Sequence, residues 1–114
     1  MIPKTYHTPE AYLALEREAG FRHEYVRGEI RLMAGGSPNH NLVKEGLSIS
    51  VGSFLRGKKT CRNYSSDQRI HVCDGSLYTY PDLVVVCGPN QYTDGRKDTL
   101  MNPVMLGEVL SPGT

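Results

Sequence analysis

After a short polar lead, the chain carries the punctuation of a helix. Thr8 stands where an N-cap would, Pro9 at the first helical position, and Glu10 at the positive end of the helix dipole. Gly20 closes the segment, which predicts a helix over 9–19 with Tyr12, Leu15 and Ala19 as its apolar stripe. Residues 21–34 (FRHEYVRGEIRLMA) then alternate about Arg27-Gly28, the pattern of a β-hairpin. Alternation sets Arg22, Glu24 and Val26 on one face of its first strand, and His23 and Tyr25 on the other. Glu24 either points inward beside Val26 or lies at a solvated edge.

Gly35-Gly36-Ser37-Pro38 ends the hairpin and opens a second helix, with Ser37 as cap. Leu42, Val43, Leu47, Val51, Phe54 and Leu55 recur mostly at three- and four-residue intervals, predicting a core-facing helix over 38–56 closed by Gly57. His40 falls in its first turn. From Cys61 the pattern turns to strands: CRNYSSDQRIHV alternates in part, and Asp74-Gly75 reads as a turn. YTYPDLVVVCG follows, and its LVVVC run is apolar on both faces, as in a strand covered on both sides. Residues 89–98 read as a polar loop, and NPVMLGEVLSP as another largely apolar strand. The order is helix, hairpin, helix, then at least three strands, an α/β (α+β) domain without internal repeats. Helices precede the last strands and none follows them, so one face of Leu83–Val86 and of Val104–Leu110 is expected to lie bare. That predicts a homo-oligomer burying the face.

Composition adds bounds. The 114 residues suit one domain, and 39% hydrophobic with 22% charged residues excludes collagen-like, coiled-coil and charge-driven disordered chains. With 13 Lys+Arg against 12 Asp+Glu, the net charge of +1 gives no global field to attract nucleic acid, so such binding needs a local patch. One candidate patch is Arg56, Lys58, Lys59 and Arg62, a basic run whose bland alternative is a solvated loop. Tyr25, Tyr64, Tyr78 and Tyr80 are expected to pack on sheet faces rather than stack on bases. No apolar run reaches membrane-spanning length and no export-type segment opens the chain, which predicts a cytoplasmic protein with no membrane partner. An odd set of cysteines, Cys61, Cys73 and Cys87, is then expected as reduced thiols; the alternative is a structural metal held by His71, Cys73 and Cys87.

Two acids stand inside apolar runs: Asp82 between Pro81 and Leu83, and Glu108 within Val104–Leu110. A carboxylate in a buried strand is costly unless it is paired, hydrogen-bonded or bound to metal. On adjacent strands at one level the two acids would stand a few ångströms apart and suit a hard divalent cation. The other reading is that each marks a strand end and faces water.

The segments TPEAYLAL, FRHEYVRGEIRLMAGGSPNHN, SSDQRIHV, YPDLVVV and NPVMLGEVLSPGT, in that order, resemble the restriction-endonuclease family called Uma-two or domain of unknown function 820. The resemblance covers about residues 6–114 and reaches the PD-(D/E)xK nuclease superfamily. It implies a restriction-endonuclease-like mixed sheet with flanking helices, here expected to lack the C-terminal helix and strands. It also implies hydrolysis of DNA phosphodiester bonds with Mg²⁺ or Mn²⁺ held by Asp82, Glu108 and the backbone carbonyl of Val109. Glu24 matches a further acidic position, and His40 matches the histidine of an SPxH segment. The chain departs from the superfamily where a lysine is required, at Leu110. The resemblance implies a lysine supplied instead from a helix after the SPST-like segment (SPGT here), so a nuclease ending at Thr114 is expected to lack it and to be inactive if truncated. Gly107 replaces an apolar β-branched residue. Lys44, Lys58, Lys59 and Lys97 are present, but their spacing assigns none of them to the site. A non-catalytic remnant that oligomerises or binds nucleic acid is the alternative function.

Overall fold

The computed structural model describes residues 5–58, 60–72 and 74–110. Helix α1 (Pro9–Glu18) is capped as predicted, Thr8 Oγ1 accepting from the Ala11 N–H at 3.1 Å. Its buried face is Tyr12, Leu13 and Glu16, however, and Leu15 is 56% exposed. The stripe is shifted because Tyr12 packs against Tyr25 and Tyr78, which turns Glu16 inward toward polar partners. Strands β1 (His23–Val26) and β2 (Glu29–Leu32) form the predicted antiparallel hairpin. Its turn residues, Arg27 and Gly28, both take positive φ (47° and 93°), the pair of left-handed residues that lets a two-residue turn follow the strand twist.

Helix α2 (Pro38–Leu55) starts where Ser37 accepts from the His40 N–H at 3.1 Å. Then come β3 (Cys61–Tyr64), β4 (Arg69–Val72), β5 (Leu77–Thr79), β6 (Leu83–Cys87), β7 (Thr99–Leu100) and β8 (Pro103–Gly107). The predicted loop before β7 contains one 3₁₀ turn, Thr93–Gly95.

These strands form two sheets where one was expected. A five-stranded mixed sheet has the order β2-β1-β5-β4-β7, with β4 and β7 its parallel pair. A three-stranded antiparallel sheet has the order β3-β6-β8. YTYPDLVVVCG serves both: the chain leaves β5 at Tyr80, passes Pro81, which has no N–H to give a ladder, and enters β6. The sheets meet where Ile70 and Leu100 pack with Val84 and Val86, while Tyr12, Leu13, Tyr25 and Tyr78 form a second cluster beneath α1. β6 is buried on both faces, as its apolar run required.

Other expectations are corrected. Cys61 and Cys87 are not reduced thiols: they stand opposite each other in the β3–β6 register and form a disulfide. Their number and the absence of an export segment bear on compartment, whereas strand register decides which sulfurs meet. The alternative metal set loses Cys87 to that bond, and Cys73 lies outside the described residues. Helix α2 fully buries none of its side chains, and Leu42 and Phe54 are each 71% exposed. Its periodicity marked an apolar face, but β3 and β6 cover only part of it. β8 is open as well, with Val104 63% exposed, and the second acid lies just beyond the strand rather than within it. Among the described residues no helix is long and apolar enough to cross a membrane.

Candidate functional site

Asp82 directly precedes β6, and Glu108 directly follows β8. Leu83 pairs with Gly107 in the antiparallel ladder, so one step outward the two acids face each other. Gly107 matters here because a Cβ at that position would meet Leu83 Cβ at 3.1 Å and Leu47 Cδ2 at 3.5 Å. Its missing side chain lets α2 lie close beside the acid pair.

The approach to Asp82 is pinned from below. Tyr80 is buried; its hydroxyl donates to Glu16 Oε2 at 2.7 Å and accepts from Arg69 Nη1 at 3.0 Å. Burial first, and the bond to Glu16 second, push the Tyr80 phenol up to about 12, so it stays protonated and donating. Glu16 also accepts the His23 N–H at 2.7 Å, and Arg69 reaches Thr99 Oγ1 at 2.8 Å and Asp98 Oδ2 at 3.0 Å. This buried network joins α1, β1, β4 and β7 to the residue two positions before Asp82.

Asp82 itself is buried, and its Oδ2 accepts from the Val109 N–H at 2.8 Å. His40 Nε2 lies 3.3 Å from the same Oδ2 and 3.1 Å from the Val109 carbonyl oxygen. Two acceptors facing one ring nitrogen assign the proton to Nε2, which donates. His40 thus clips the segment after β8 onto the residue before β6. Its Nδ1 is buried without a hydrogen-bond partner among the described residues and faces Gly36.

The Glu108 carboxyl is pushed up, first by partial burial, then by the neighbouring Asp82, and then by Glu24. Glu24 lies at one remove: Thr79 Oγ1 donates to its Oε2 at 3.2 Å, and its charge reaches Glu108 without its side chain lining the cleft. That cleft, about 190 Å³, is lined by Asp82, Glu108 and His40 together with Arg22, Lys44, Ser66 and Tyr80. Among the described residues no three His, Cys, Asp or Glu side chains are grouped to hold a metal. The oxygen donors at hand are two carboxylates and the Val109 carbonyl, whose second lone pair is left by His40. This is a hard set of the kind Mg²⁺ takes while keeping several waters.

Asp82, Glu108, Val109 and His40 therefore come together, Glu24 stands behind them, and the basic run lies elsewhere. Arg62 spends its guanidinium on the Gly88 carbonyl at 2.6 Å and on Asn90 Oδ1. Arg56 caps the far end of α2, 16 residues beyond His40, or about 24 Å along the axis. Lys58 is exposed over the Phe54 ring at 5.5 Å, and Lys59 lies outside the described residues. Sequence reasoning missed Arg22 and Lys44. The signals were there: Lys44 follows His40 by four residues, hence shares its helix face, and Arg22 shares a strand face with Glu24.

Fold and site together define an α+β domain with a paired-carboxylate cleft between two strand ends and a helix. The Uma2 family, described as "putative restriction endonuclease", matches residues 9–114, and the chain belongs to that family. Two curated relatives come from Synechocystis sp. The uncharacterized protein slr1290 is 38% identical over 109 residues, covering 94% of this chain and 55% of the relative. The uncharacterized protein sll1609 is 33% identical over 104 residues, covering 91% and 58%. The crystal structure of a "putative nuclease belonging to DUF820" from Anabaena variabilis shares the fold, with a TM-score of 0.74 and 20% identity over 95% of this chain and 60% of that one. The chain thus spans a little over half the length of these relatives.

Proposed function

We propose that this chain is a metal-dependent nuclease domain that hydrolyses DNA phosphodiester bonds. The observation that carries the reading is the register of Asp82 against Glu108, which sets two acids side by side in a cleft that also presents cations. Like charges held this close are relieved either by a proton or by a cation. Asp82, Glu108 and the Val109 carbonyl are the groups that would hold Mg²⁺ or Mn²⁺. When bound, such an ion polarises the scissile phosphate and makes a water acidic enough to attack.

Hydrolysis requires a bond from water oxygen to phosphorus as the P–O3′ bond breaks, with one proton leaving the water and one reaching the departing oxygen. This chain's residues prepare that exchange chiefly by holding groups still. The Val109 N–H and His40 Nε2 fix Asp82, and the Tyr80–Glu16–Arg69 network fixes the chain that delivers it. His40 is therefore a positioning residue, and Glu24 adds negative charge behind the pair.

Incubation with supercoiled plasmid and Mg²⁺ or Mn²⁺ tests the reading. The wild type should nick the plasmid, and Asp82→Asn should lose about a hundredfold or more in rate. Identical inert traces from both proteins would overturn it. The exposed apolar residues of β8 favour a second reading, in which the domain associates with a second copy of itself.

A further inference from the structure

We propose that Lys44, seated on Ser66 beside Arg22, is the cationic group that contacts the scissile phosphate; the inference rests on the nuclease reading above and assigns its substrate-binding side chain. The carboxylates of the cleft repel a phosphodiester, so a site for that anion needs positive charge in the same cleft. Two cations line it. Lys44 is half-buried and donates to the Ser66 hydroxyl at 2.9 Å. Among the described residues no carboxylate lies within ion-pair distance of its ammonium. A lysine ammonium has three donors, and here one goes to a neutral oxygen, leaving the charge unneutralised and two hydrogens for a ligand.

Arg22 is the second cation of that lining. Its Nη1 donates to the Ser66 carbonyl, and its guanidinium lies over the Tyr80 ring at 5.8 Å. Among the described residues the acid within ion-pair distance of it, Asp67, is 3.6 Å away and 96% exposed, so that pair is strongly screened. Both cations thus converge on one residue, Ser66, and both hold their positions without a buried counter-charge. Lys44 is also four residues after His40 on α2, so the helix that clips Val109 onto Asp82 carries the ammonium on the same face. The element that orders the acids therefore sets the distance to the cation.

Two readouts test the assignment on the full chain. The first is fluorescence anisotropy of a labelled DNA duplex without divalent cation, measured across a salt series. The second is the plasmid nicking rate with Mn²⁺. The variants are Lys44→Met, Lys44→Arg and, as an exposed control outside the cleft lining, Lys97→Met, with Asp82→Asn as the inactive reference. Lys44→Met should weaken duplex binding about tenfold and flatten the logarithmic salt slope by about one unit. It should also slow nicking about a hundredfold. Lys44→Arg should recover the binding, Lys97→Met should behave as wild type, and thermal melting should be the same for all.

Lys44→Met that binds and nicks like wild type while Asp82→Asn is inert would overturn the assignment and leave the nuclease reading standing. So would Lys44→Met and Lys97→Met weakening binding equally, since that is loss of general charge. A wild type inert under every condition would remove both. If Lys44→Met melts early, Lys44→Arg and Lys44→Gln decide: a rescue by arginine that glutamine does not give supports the contact, and equal behaviour of the two overturns it.

Discussion

Asp82 is buried, and its company is a backbone N–H, an imidazole N–H and a second carboxyl. A structural carboxylate of that kind usually has a cationic partner or several backbone donors. Asp98 shows the contrast within the same chain. The Arg17 guanidinium, with Thr99 and Arg69 behind it, holds the Asp98 carboxyl well below the usual carboxylate range. A depressed value of this sort stabilises the fold fully above the unfolded carboxylate's value near ~3.9 and is lost as pH falls through the folded one. Asp98→Asn should therefore melt below wild type at neutral pH, and the gap should close as pH falls below ~4. A gap that persists unchanged in acid would contradict the pairing. Asp82 and Glu108 were legible in the sequence because an acid amid apolar strand residues is costly and needs a reason. Glu16 and Arg69 were not, because each is explained by partners far away in sequence. Glu16 meets Tyr80 across 64 residues, for example, and nothing local marks that contact.

Elements that rest on local chemistry were readable. Thr8 and Ser37 cap their helices, and Arg27-Gly28 makes the hairpin turn, because side-chain caps and positive φ are settled within a few residues. Strand pairing was not readable, since alternation gives a face and no partner. The split into two sheets and the Cys61–Cys87 disulfide both follow from register between distant segments. Nor does an apolar pattern guarantee cover, as α2 and β8 show. Among the described residues β8 is an edge strand, with Val104 63% and Met105 46% exposed, and its outer backbone edge is unpaired beside an apolar face. If a second copy covers that face, sedimentation should show a dimer at micromolar concentration, and Val104→Lys should shift it to monomer. A wild type that sediments as a monomer would remove the self-association reading.

At the scale of the molecule, two sheets, one buried polar network and one helix converge on the strand ends where the acids stand. Arg69 and Tyr80 link the five-stranded sheet to the chain entering β6, and His40 links α2 to the chain leaving β8. The site is thus a product of the whole fold, which the chain shares with the DUF820 structure over 95% of its length. The proposed nuclease chemistry needs Asp82 and Glu108 to form a divalent-cation site. Titration with Mn²⁺, with the free ion counted by electron paramagnetic resonance, tests it most directly. Wild type should take up one Mn²⁺ per chain, and Asp82→Asn and Glu108→Gln should each leave the ion free. A wild type that leaves all Mn²⁺ in solution, or variants that bind it equally well, would contradict the account.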